Sequence, residues 1–405
     1  MYAHLALLVV VVLLLRSVAA ATRQHEIAAL ETLYEGTGGS AGRWTFLRMN
    51  DKIRHFAVNA DIFGNLNLTG ASWDFKKNAA GDYVADPCAK RSSGENFAGI
   101  GCTCSDSNEC SITQICLPGG NLVGSLASIV TAVQNFTQLN FLNLHSNALT
   151  GTIPSAVGNF DDMTFLSLFL NSLTGSIPSS LGRLTKLEYL DLERNNLLGS
   201  IPSSLGRLSK LKYTWLSDNS LSGSISSELG QLTNLQRLYL FGNSLTGPIP
   251  PQIGNISSLL YLGMNSNSIS GTIPRELEKL KNLITLYLFG NMLTGTIPKE
   301  LANMNQLEHM YLSTNSLRGN IPVELADMKN LANFGLSSNS LSGTIPAALG
   351  RLINLQQLSL HENSLTGFIP AELGQCKNLT SIDLSHNALT GTIPSNLAAL
   401  DKLER

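Results

Sequence analysis

Charged residues are scarce in this chain of 405 residues, where Lys, Arg, Asp and Glu make up 14% and the net charge is −2. No run of basic residues occurs, so the sequence gives little support for binding to nucleic acid or an anionic membrane. It also lacks the H-E-x-x-H, P-loop and G-x-G-x-x-G fingerprints of enzymes. His361, Glu362, Asp383 and His386 could approach one another, but no nucleophile or oxyanion donor accompanies them. We therefore expect no enzymatic activity, no catalytic residues and no cofactor.

Long apolar runs are also rare, and the one present lies at the N-terminus, from Leu5 to Leu15. This run is too short for the roughly 20 residues that cross a bilayer, but it suits the core of a signal peptide. Small residues follow it, which predicts a signal peptide over residues 1–21, with an uncleaved anchor as the alternative. Because no second run exists, we expect no transmembrane helix in this chain.

Cysteine is scarce too, and five of the six cysteines lie in one cluster. In a secreted chain this clustering predicts disulfides that close a small domain. Zinc is the alternative, but the spacing lacks the paired C-x2-C of common zinc sites, so we expect no metal. Because five is odd, one thiol of the cluster stays free or pairs elsewhere. The sixth cysteine, Cys376, occupies a repeat position that is apolar in the other coils, so we expect it to be a buried thiol. The disulfide candidates are Cys88, Cys102, Cys104, Cys110 and Cys116.

Four N-x-[ST] sequons favour secretion, because such sequons accept N-linked glycans on exported proteins. Together with the signal peptide they predict a protein that is secreted or at the cell surface. The glycosylation candidates are Asn67, Asn135, Asn255 and Asn378.

The abundant feature is a repeat, L-x-x-L-x-L-x-x-N-x-L-x-G-x-I-P, which recurs eleven times with no change of length. A constant period of about 24 residues is typical of a solenoid, in which each unit contacts its neighbours. The repeat is marked by one asparagine per coil, which we call the ladder asparagine. The ladder asparagines are Asn147, Asn171, Asn195, Asn219, Asn243, Asn267, Asn291, Asn315, Asn339, Asn363 and Asn387.

Each segment of the repeat has a structural interpretation. The L-x-x-L-x-L segment alternates, which predicts a short strand with its leucines in the core, and stacked strands form a parallel sheet. The asparagine amide can donate to and accept from backbone groups of adjoining coils, and the glycine relieves a tight bend. Because proline cannot continue a helix, we expect the side after I-P to be extended or irregular.

The period also predicts the domains. Residues 22–114 lack it and are expected to form an N-terminal capping domain with the cysteine cluster, and residues 115–405 form the solenoid. The first coil is degenerate, with Gly120 in place of the asparagine and three extra residues. The eleven repeats are followed by an incomplete one that ends at Arg405. Membrane attachment is expected only if the natural protein continues into a transmembrane helix and a kinase domain.

The pattern N-L-T-G-x-I-P-x-x-L-G-x-L-x-x-L resembles the plant-type leucine-rich repeats of receptor-kinase ectodomains and secreted polygalacturonase-inhibiting proteins. Residues 26–34, D-P-C at 86–88 and G-I-G-C at 99–102 resemble the cap of that family, although Phe97 replaces its usual Trp and an insertion lies around 45–80. The resemblance, over about residues 25–405, implies an α/β solenoid: a right-handed superhelix with a parallel concave β-sheet and a disulfide-containing cap. It also implies recognition of proteins, peptides or glycans outside the cell, with a co-receptor as a possible partner.

Aromatic residues are concentrated on the predicted concave face, at positions six, four or two residues before the ladder asparagines. Twelve of the chain's 26 aromatics lie there, on eight neighbouring coils that span roughly 34 Å. Such a surface usually marks an interaction site, because Tyr and Trp are favoured anchors. The alternative is that stacked aromatics only cover one another. We call this set the aromatic strip: Phe141, Phe165, Phe169, Tyr189, Tyr213, Trp215, Tyr239, Phe241, Tyr261, Tyr287, Phe289 and Tyr311.

The sequence thus predicts an extracellular recognition module that binds a protein, peptide or polysaccharide through its concave face, as receptor-like ectodomains do. The alternative is a secreted inhibitor of a cell-wall-degrading glycosidase. Loss of fungal polygalacturonase activity on mixing would distinguish the inhibitor from the receptor-like module.

Overall fold

The computed structural model describes residues 76–77, 83–84, 100–104, 110–119 and 122–404. The predicted signal peptide, the Asn67 sequon, Cys88 and most of the predicted capping domain lie outside these residues. The chain divides into two compact units, Met1–Leu187 and Glu188–Arg405.

In the first unit, antiparallel strands give way to parallel ones. Strand β1 pairs antiparallel with β2, and β3 pairs antiparallel with β4. Strand β4 also pairs in parallel with β6, and β6 with β8, so the parallel sheet begins at β4. A second parallel pair, β5 and β7, lies apart from this sheet. The strands are β1 Lys76–Lys77, β2 Tyr83–Val84, β3 Ile100–Cys104, β4 Cys110–Cys116, β5 Val123–Ser125, β6 Phe141–Asn143, β7 Ala148–Thr150 and β8 Phe165–Ser167.

The first coil accommodates its three extra residues in a helix. Helix α1, Leu126–Val133, has eight residues and begins at Ser125, whose side chain accepts a hydrogen bond from the main-chain N–H of Ala127. The next two coils of this unit have five-residue 3-10 helices instead, at Ser155–Asn159 and Ser179–Arg183.

The second unit repeats one coil with no change of register. Each strand of its first sheet pairs in parallel with the equivalent strands of the adjoining coils, as Tyr213 does with Tyr189 and with Arg237. Equivalent residues of successive coils therefore form straight rows across the sheet, which confirms the predicted parallel sheet. The strands are β9 Tyr189–Asp191, β11 Tyr213–Trp215, β13 Arg237–Tyr239, β15 Tyr261–Gly263, β17 Thr285–Tyr287, β19 His309–Tyr311, β21 Asn333–Gly335, β23 Gln357–Ser359 and β25 Ser381–Asp383.

A second sheet of nine strands, which was not predicted from the sequence, follows the ladder asparagines. The segment N-x-L-x-G forms these strands, and each strand pairs in parallel with the equivalent strand of the next coil, so that Leu198 of β10 lies opposite Ser220 of β12. The strands are β10 Leu198–Gly199, β12 Ser220–Ser224, β14 Ser244–Gly247, β16 Ser268–Thr272, β18 Met292–Gly295, β20 Ser316–Gly319, β22 Ser340–Thr344, β24 Ser364–Phe368 and β26 Ala388–Thr390.

The segment after I-P is helical, so the expectation of an extended or irregular side was wrong. Proline blocks a helix that would continue through it, but its own carbonyl can begin one, as Pro250 does by accepting from Ile253 N at 3.0 Å. The 3-10 helices of this unit are Ser203–Arg207, Ser227–Gln231, Pro251–Asn255, Arg275–Lys279, Lys299–Asn303, Val323–Asp327, Ala347–Arg351, Ala371–Gln375 and Ser395–Ala399.

The ladder asparagines connect adjoining coils, as the sequence predicted. Asn291 accepts a hydrogen bond from Ile269 N, at 3.0 Å. Its amide donates to the carbonyls of Met264 in the preceding coil and Leu288 in its own coil, at 2.9 and 3.1 Å. The leucines of the repeat are buried in the coils before the last one, as at Leu286, and so is the thiol of Cys376. Backbone groups inside the solenoid are thereby paired while the apolar side chains fill the core.

Candidate ligand-binding surface

The face that carries the aromatic strip is formed by short strands in the first sheet of each unit. In a three-residue strand such as β13, the middle residue, Leu238, points into the core, and the flanking residues, Arg237 and Tyr239, point outward. The residue two positions before the ladder asparagine, such as Phe241, adds a third outward side chain. Three outward rows therefore run across the coils.

The residue immediately before each ladder asparagine turns the chain at the end of the strand, a feature that was not predicted from the sequence. It adopts the left-handed backbone conformation in every one of the eleven repeats, with φ between 50° and 63°. The glycine four residues after the asparagine also has a positive φ, between 72° and 81°. This glycine was predicted to relieve a bend. The first turn could have been read from Asp218, Gly242, Gly290 and His386, because Gly, Asp and His are residue types that favour such conformations.

In the first unit, the aromatics mainly cover one another. The rings of Phe141 and Phe165 are stacked, with centroids 4.2 Å apart and planes inclined by 10°. Their exposed fractions are only 9% and 7%. Phe169 is half-buried beside His145, whose pKa is lowered by burial. Packing therefore accounts for Phe141 and Phe165, and these two rings offer little surface to a ligand.

In the second unit, all nine aromatics of the strip are half-exposed. The first five form a connected group: Trp215 lies 4.9 Å from Tyr189, 5.8 Å from Tyr213 and 6.1 Å from Tyr239, and Phe241 contacts Tyr239 edge-on. The hydroxyl of Tyr213 donates to Gln236 Oε1 at 3.0 Å. This group combines a continuous apolar surface with polar tips, as interaction anchors do.

A second group consists of Tyr287, Phe289 and Tyr311. Tyr287 lies 5.4 Å from Tyr311 and 6.1 Å from Phe289, in edge-to-face contacts. Burial raises the pKa of both Tyr239 and Tyr311, so their hydroxyls stay protonated at neutral pH and can donate hydrogen bonds.

Two glycines in the strip rows allow tyrosine rings of the preceding coil to approach the sheet closely. A Cβ on Gly263 would come within 2.9 Å of Tyr239 Cδ1, and one on Gly335 within 2.7 Å of Tyr311 Cδ1. Both glycines have ordinary backbone conformations and are present for close approach. They were not predicted from the sequence, although a glycine that follows a tyrosine in the same row was a usable signal.

The charges of this face are unevenly distributed. Tyr189 lies beside an acidic group in which Asp191 accepts from the tyrosine hydroxyl at 3.4 Å and from Glu193 N at 3.1 Å. Arg194 contacts Asp218 at 3.4 Å and Glu193 at 3.8 Å. Burial raises the pKa of Glu193. Further along, Arg237 lies between two tyrosine rings.

Polar residues replace the aromatics beyond Tyr311. His361 lies 3.3 Å from Asp383 and 3.0 Å from Ser359, and Asp383 accepts from Ser385 Oγ at 2.6 Å. The structure thus brings together part of the polar group considered in the sequence. Among the described residues, no group of three or more His, Cys, Asp or Glu side chains could hold a metal ion.

The modification candidates are placed as follows. Cys116 is a free thiol, and the sequence left one thiol of the odd-numbered cluster without a partner in it. Burial raises the pKa of Cys116 to about 11, and Asn143 is its hydrogen-bond partner. The side chains of Cys102, Cys104 and Cys110 lie outside the described residues, as does Cys88. The sequon asparagines Asn135 and Asn255 are exposed. The third described one, Asn378, is half-buried, and its amide donates to Ile353 O at 3.0 Å.

Comparison with protein-family models gives two matches, both described as leucine-rich repeats. One covers residues 329–389, and the other covers 138–160, 186–208, 210–232, 234–256 and 282–304. No curated protein matches the chain. Within the residues that the structure describes, no helix has the length and apolar character needed to cross a membrane.

Solved structures similar to this chain include receptor ectodomains. The Arabidopsis receptor kinase HAESA, solved with the peptide hormone IDA and the co-receptor SERK1, is 32% identical, with a TM-score of 0.65; the match covers 76% of this chain and 55% of that chain. The plant peptide hormone receptor RGFR1, solved with RGF2, is 28% identical, with a TM-score of 0.60; the match covers 76% of this chain and 63% of that one.

A bacterial protein is also similar. The Leptospira interrogans leucine-rich repeat protein is 28% identical, with a TM-score of 0.54, and the match covers 72% of this chain and 83% of that chain. In contrast, this chain spans between about half and two thirds of the plant receptor chains it matches. The ladder asparagines, the I-P turns and these matches lead to one conclusion: the chain belongs to the plant-type leucine-rich repeat proteins.

Proposed function

We propose that this chain is an extracellular recognition module that binds an extended peptide on the second-unit part of the aromatic strip, from Tyr189 to Tyr311. The observation that carries the proposal is that all nine aromatics there are half-exposed on one face. Folded proteins rarely leave such large apolar side chains together in water without a partner.

The dimensions of this surface suit a peptide. Six strands lie between Tyr189 and Tyr311, which corresponds to about 24 Å at a strand spacing of about 4.8 Å. An extended peptide of about seven residues has this length. The surface is open rather than a closed pocket, and its rings carry hydroxyls that can bond to a peptide backbone.

The similar structures support the same class of ligand. HAESA and RGFR1 are described as complexes with a peptide hormone and with RGF2. For the present chain we therefore propose a peptide ligand outside the cell, with a co-receptor as a second partner. The inhibitor alternative has no comparable support on this surface.

Removal of two anchors should abolish binding. The probe is a peptide selected from a random displayed library by the wild-type protein. Tyr239→Ala combined with Tyr287→Ala removes one ring from each aromatic group. We expect affinity for that peptide to fall at least about 30-fold, since each anchor contributes about 1–3 kcal/mol. Calorimetry measures the loss.

The matched control removes two apolar side chains outside the strip, with Val323→Ala and Phe368→Ala. These side chains are 51% and 70% exposed, and affinity should stay within twofold of the wild type. Thermal unfolding of both double variants should remain close to that of the wild type. Equal affinity of the strip variant and the control would contradict the proposed function.

A further inference from the structure

Asn265 is a polar residue in an outward row of the aromatic strip, two positions before its ladder asparagine. Phe241 and Phe289 occupy the same position in the coils before and after it. The main chains of these coils are paired there, since Gly242 N donates to Asn265 O at 3.2 Å. On the other side, Ser266 N donates to Phe289 O at 2.9 Å. At a strand spacing of about 4.8 Å, one amide side chain therefore lies between two apolar residues of the same row.

The side-chain oxygen of Asn265 has no hydrogen-bond partner, although the residue is only 9% exposed. The amide nitrogen has one long contact, with Ser266 Oγ at 3.4 Å. Turning the amide over exchanges its oxygen and nitrogen, so one of these two atoms lacks a partner in either orientation. Buried polar atoms of folded proteins are rarely left in this state, because it costs free energy. The missing partner is therefore expected to come from a ligand.

The fold does not use this amide to hold its coils together. The ladder asparagine of the same coil, Asn267, donates to Leu240 O at 3.0 Å and accepts from Leu245 N at 2.9 Å. In contrast, the side chain of Asn265 makes no hydrogen bond to the main chain of the part of the protein that the structure describes. Asn265 thus has the position of a binding residue and not of a structural one.

The surroundings of Asn265 favour a neutral donor. The outward rows of the strands from β13 to β19, with the residues two positions before their ladder asparagines, contain no Asp or Glu. A cationic donor would enter these rows without a carboxylate to neutralise it, and Arg237 in the preceding coil would repel it. An amide N–H is neutral, and a peptide carries one at every residue other than proline.

We infer that the side-chain oxygen of Asn265 accepts a hydrogen bond from an amide N–H of the bound peptide, an inference that rests on the proposed function. The donor is a main-chain amide or the side-chain amide of Asn or Gln, which offer the same N–H group. The neighbouring phenylalanine rings keep water from this bond and so strengthen it. Asn265 thereby fixes the register of the peptide between the two aromatic groups of the strip.

The test modifies the peptide and the protein together. The probe is the peptide that the wild-type protein selects from the displayed library. In one set of derivatives each main-chain nitrogen is methylated in turn, which removes its N–H, and in the other set each Asn or Gln is replaced by Ala. Calorimetry gives the affinity of every derivative for the full chain as wild type, Asn265→Leu, Asn265→Ala and Asn196→Leu. Comparing protein variants cancels the effect of a modification on the peptide itself.

We expect both Asn265 variants to bind the unmodified peptide at least about tenfold more weakly than the wild type, as for the loss of one buried hydrogen bond. One derivative should lose the same factor with the wild type but bind the Asn265 variants within about twofold of the unmodified peptide.

The control and a stability measurement separate binding from folding. Asn196 is an exposed asparagine just before β10 of the second sheet, so Asn196→Leu should bind like the wild type. Asn265→Leu replaces an unpartnered buried amide by an apolar group of similar shape, so its thermal unfolding midpoint should equal or exceed that of the wild type. A residue with only a structural role would show a lower midpoint.

Each outcome distinguishes between the two proposals. A methylated position that is coupled to Asn265 identifies a main-chain amide, and a coupled Asn or Gln identifies a side-chain amide. Unchanged affinity in both Asn265 variants, no coupled position, or loss of folding in both variants overturns the inference and leaves the proposed function intact. Failure of the wild type to select any peptide overturns both.

Discussion

The residue before each ladder asparagine turns the chain away from the sheet in the left-handed backbone conformation. Gly, Asn and Asp tolerate that conformation, whereas other side chains crowd the following carbonyl, at a cost of roughly 1–2 kcal/mol. Leu170 has φ of 53° and is 45% exposed, so it combines an unfavourable conformation with an apolar side chain in water. The strain is tolerated because the hydrogen bonds of Asn171 hold the adjoining backbone.

Replacement of Leu170 by asparagine should therefore stabilise the protein. We expect Leu170→Asn to raise the free energy of unfolding by about 0.5–1 kcal/mol, because asparagine adopts the left-handed region at lower cost. Urea denaturation measures the change. Leu198→Asn is the control: this leucine is 52% exposed but lies in β10 with an ordinary φ, so no gain is expected there. An equal gain at both positions would show that surface polarity, not backbone conformation, is responsible.

At the scale of elements, the coil is held to its neighbour by side-chain amides as well as by sheet pairing. Asn291 satisfies one N–H and two carbonyls that would otherwise be buried without partners. The row of ladder asparagines therefore has a structural role: it keeps a constant spacing between adjoining coils, and with it the spacing of their 3-10 helices, strands and turns. A polar side chain inside the coil is stable there because each of its hydrogen-bonding groups is used.

Loss of one such amide should be costly. We expect Asn291→Ala to lower the free energy of unfolding by about 2–4 kcal/mol, since several buried backbone groups lose their partner. The control is Asn282→Ala, which removes a single exposed hydrogen bond to Ser257 O and should cost less than about 0.5 kcal/mol. Denaturant midpoints of the two variants provide the comparison. Similar midpoints would refute a stabilising role for the ladder.

At the scale of the whole molecule, the second unit is built by repetition, with each strand of its first sheet paired to the equivalent strands of the coils before and after it. Stability then depends on each coil and its interfaces with the next coils, and not on one central core. Such a unit should tolerate the loss of one complete coil but not a change of register.

Deletion of residues 316–339 tests this property. The deletion joins Asn315 to Ser340, where the repeat resumes in the same register, and it lies beyond the aromatic strip. We expect a folded protein with unchanged peptide binding, observed by circular dichroism and calorimetry. Deletion of 316–338, one residue fewer, shifts the alternation and turns core leucines outward, so it should unfold or aggregate. Equal behaviour of both deletions would contradict the repeat-based account.

Much of this architecture was predictable, because it depends on local patterns that recur. The strand rows, the asparagine hydrogen bonds, the glycine bends and the burial of Cys376 all followed from the period. The 3-10 helices did not follow from it. Proline prevents a helix from continuing through it because it has no N–H donor, but its carbonyl can still accept the first hydrogen bond of a new helix. The second sheet was missed since its strands have apolar residues in a single row.

The candidate site was predictable as a set of positions and not as a surface. Alternation alone identifies the outward rows, since successive strand residues must face opposite sides. Only the tertiary structure shows that Phe141 and Phe165 bury each other, that Tyr239 and Tyr311 lie on glycines, and that Arg237 is enclosed by two tyrosines. The physical reason is that backbone periodicity is a property of neighbouring residues, whereas the exposure and contacts of a side chain depend on residues one or two coils away.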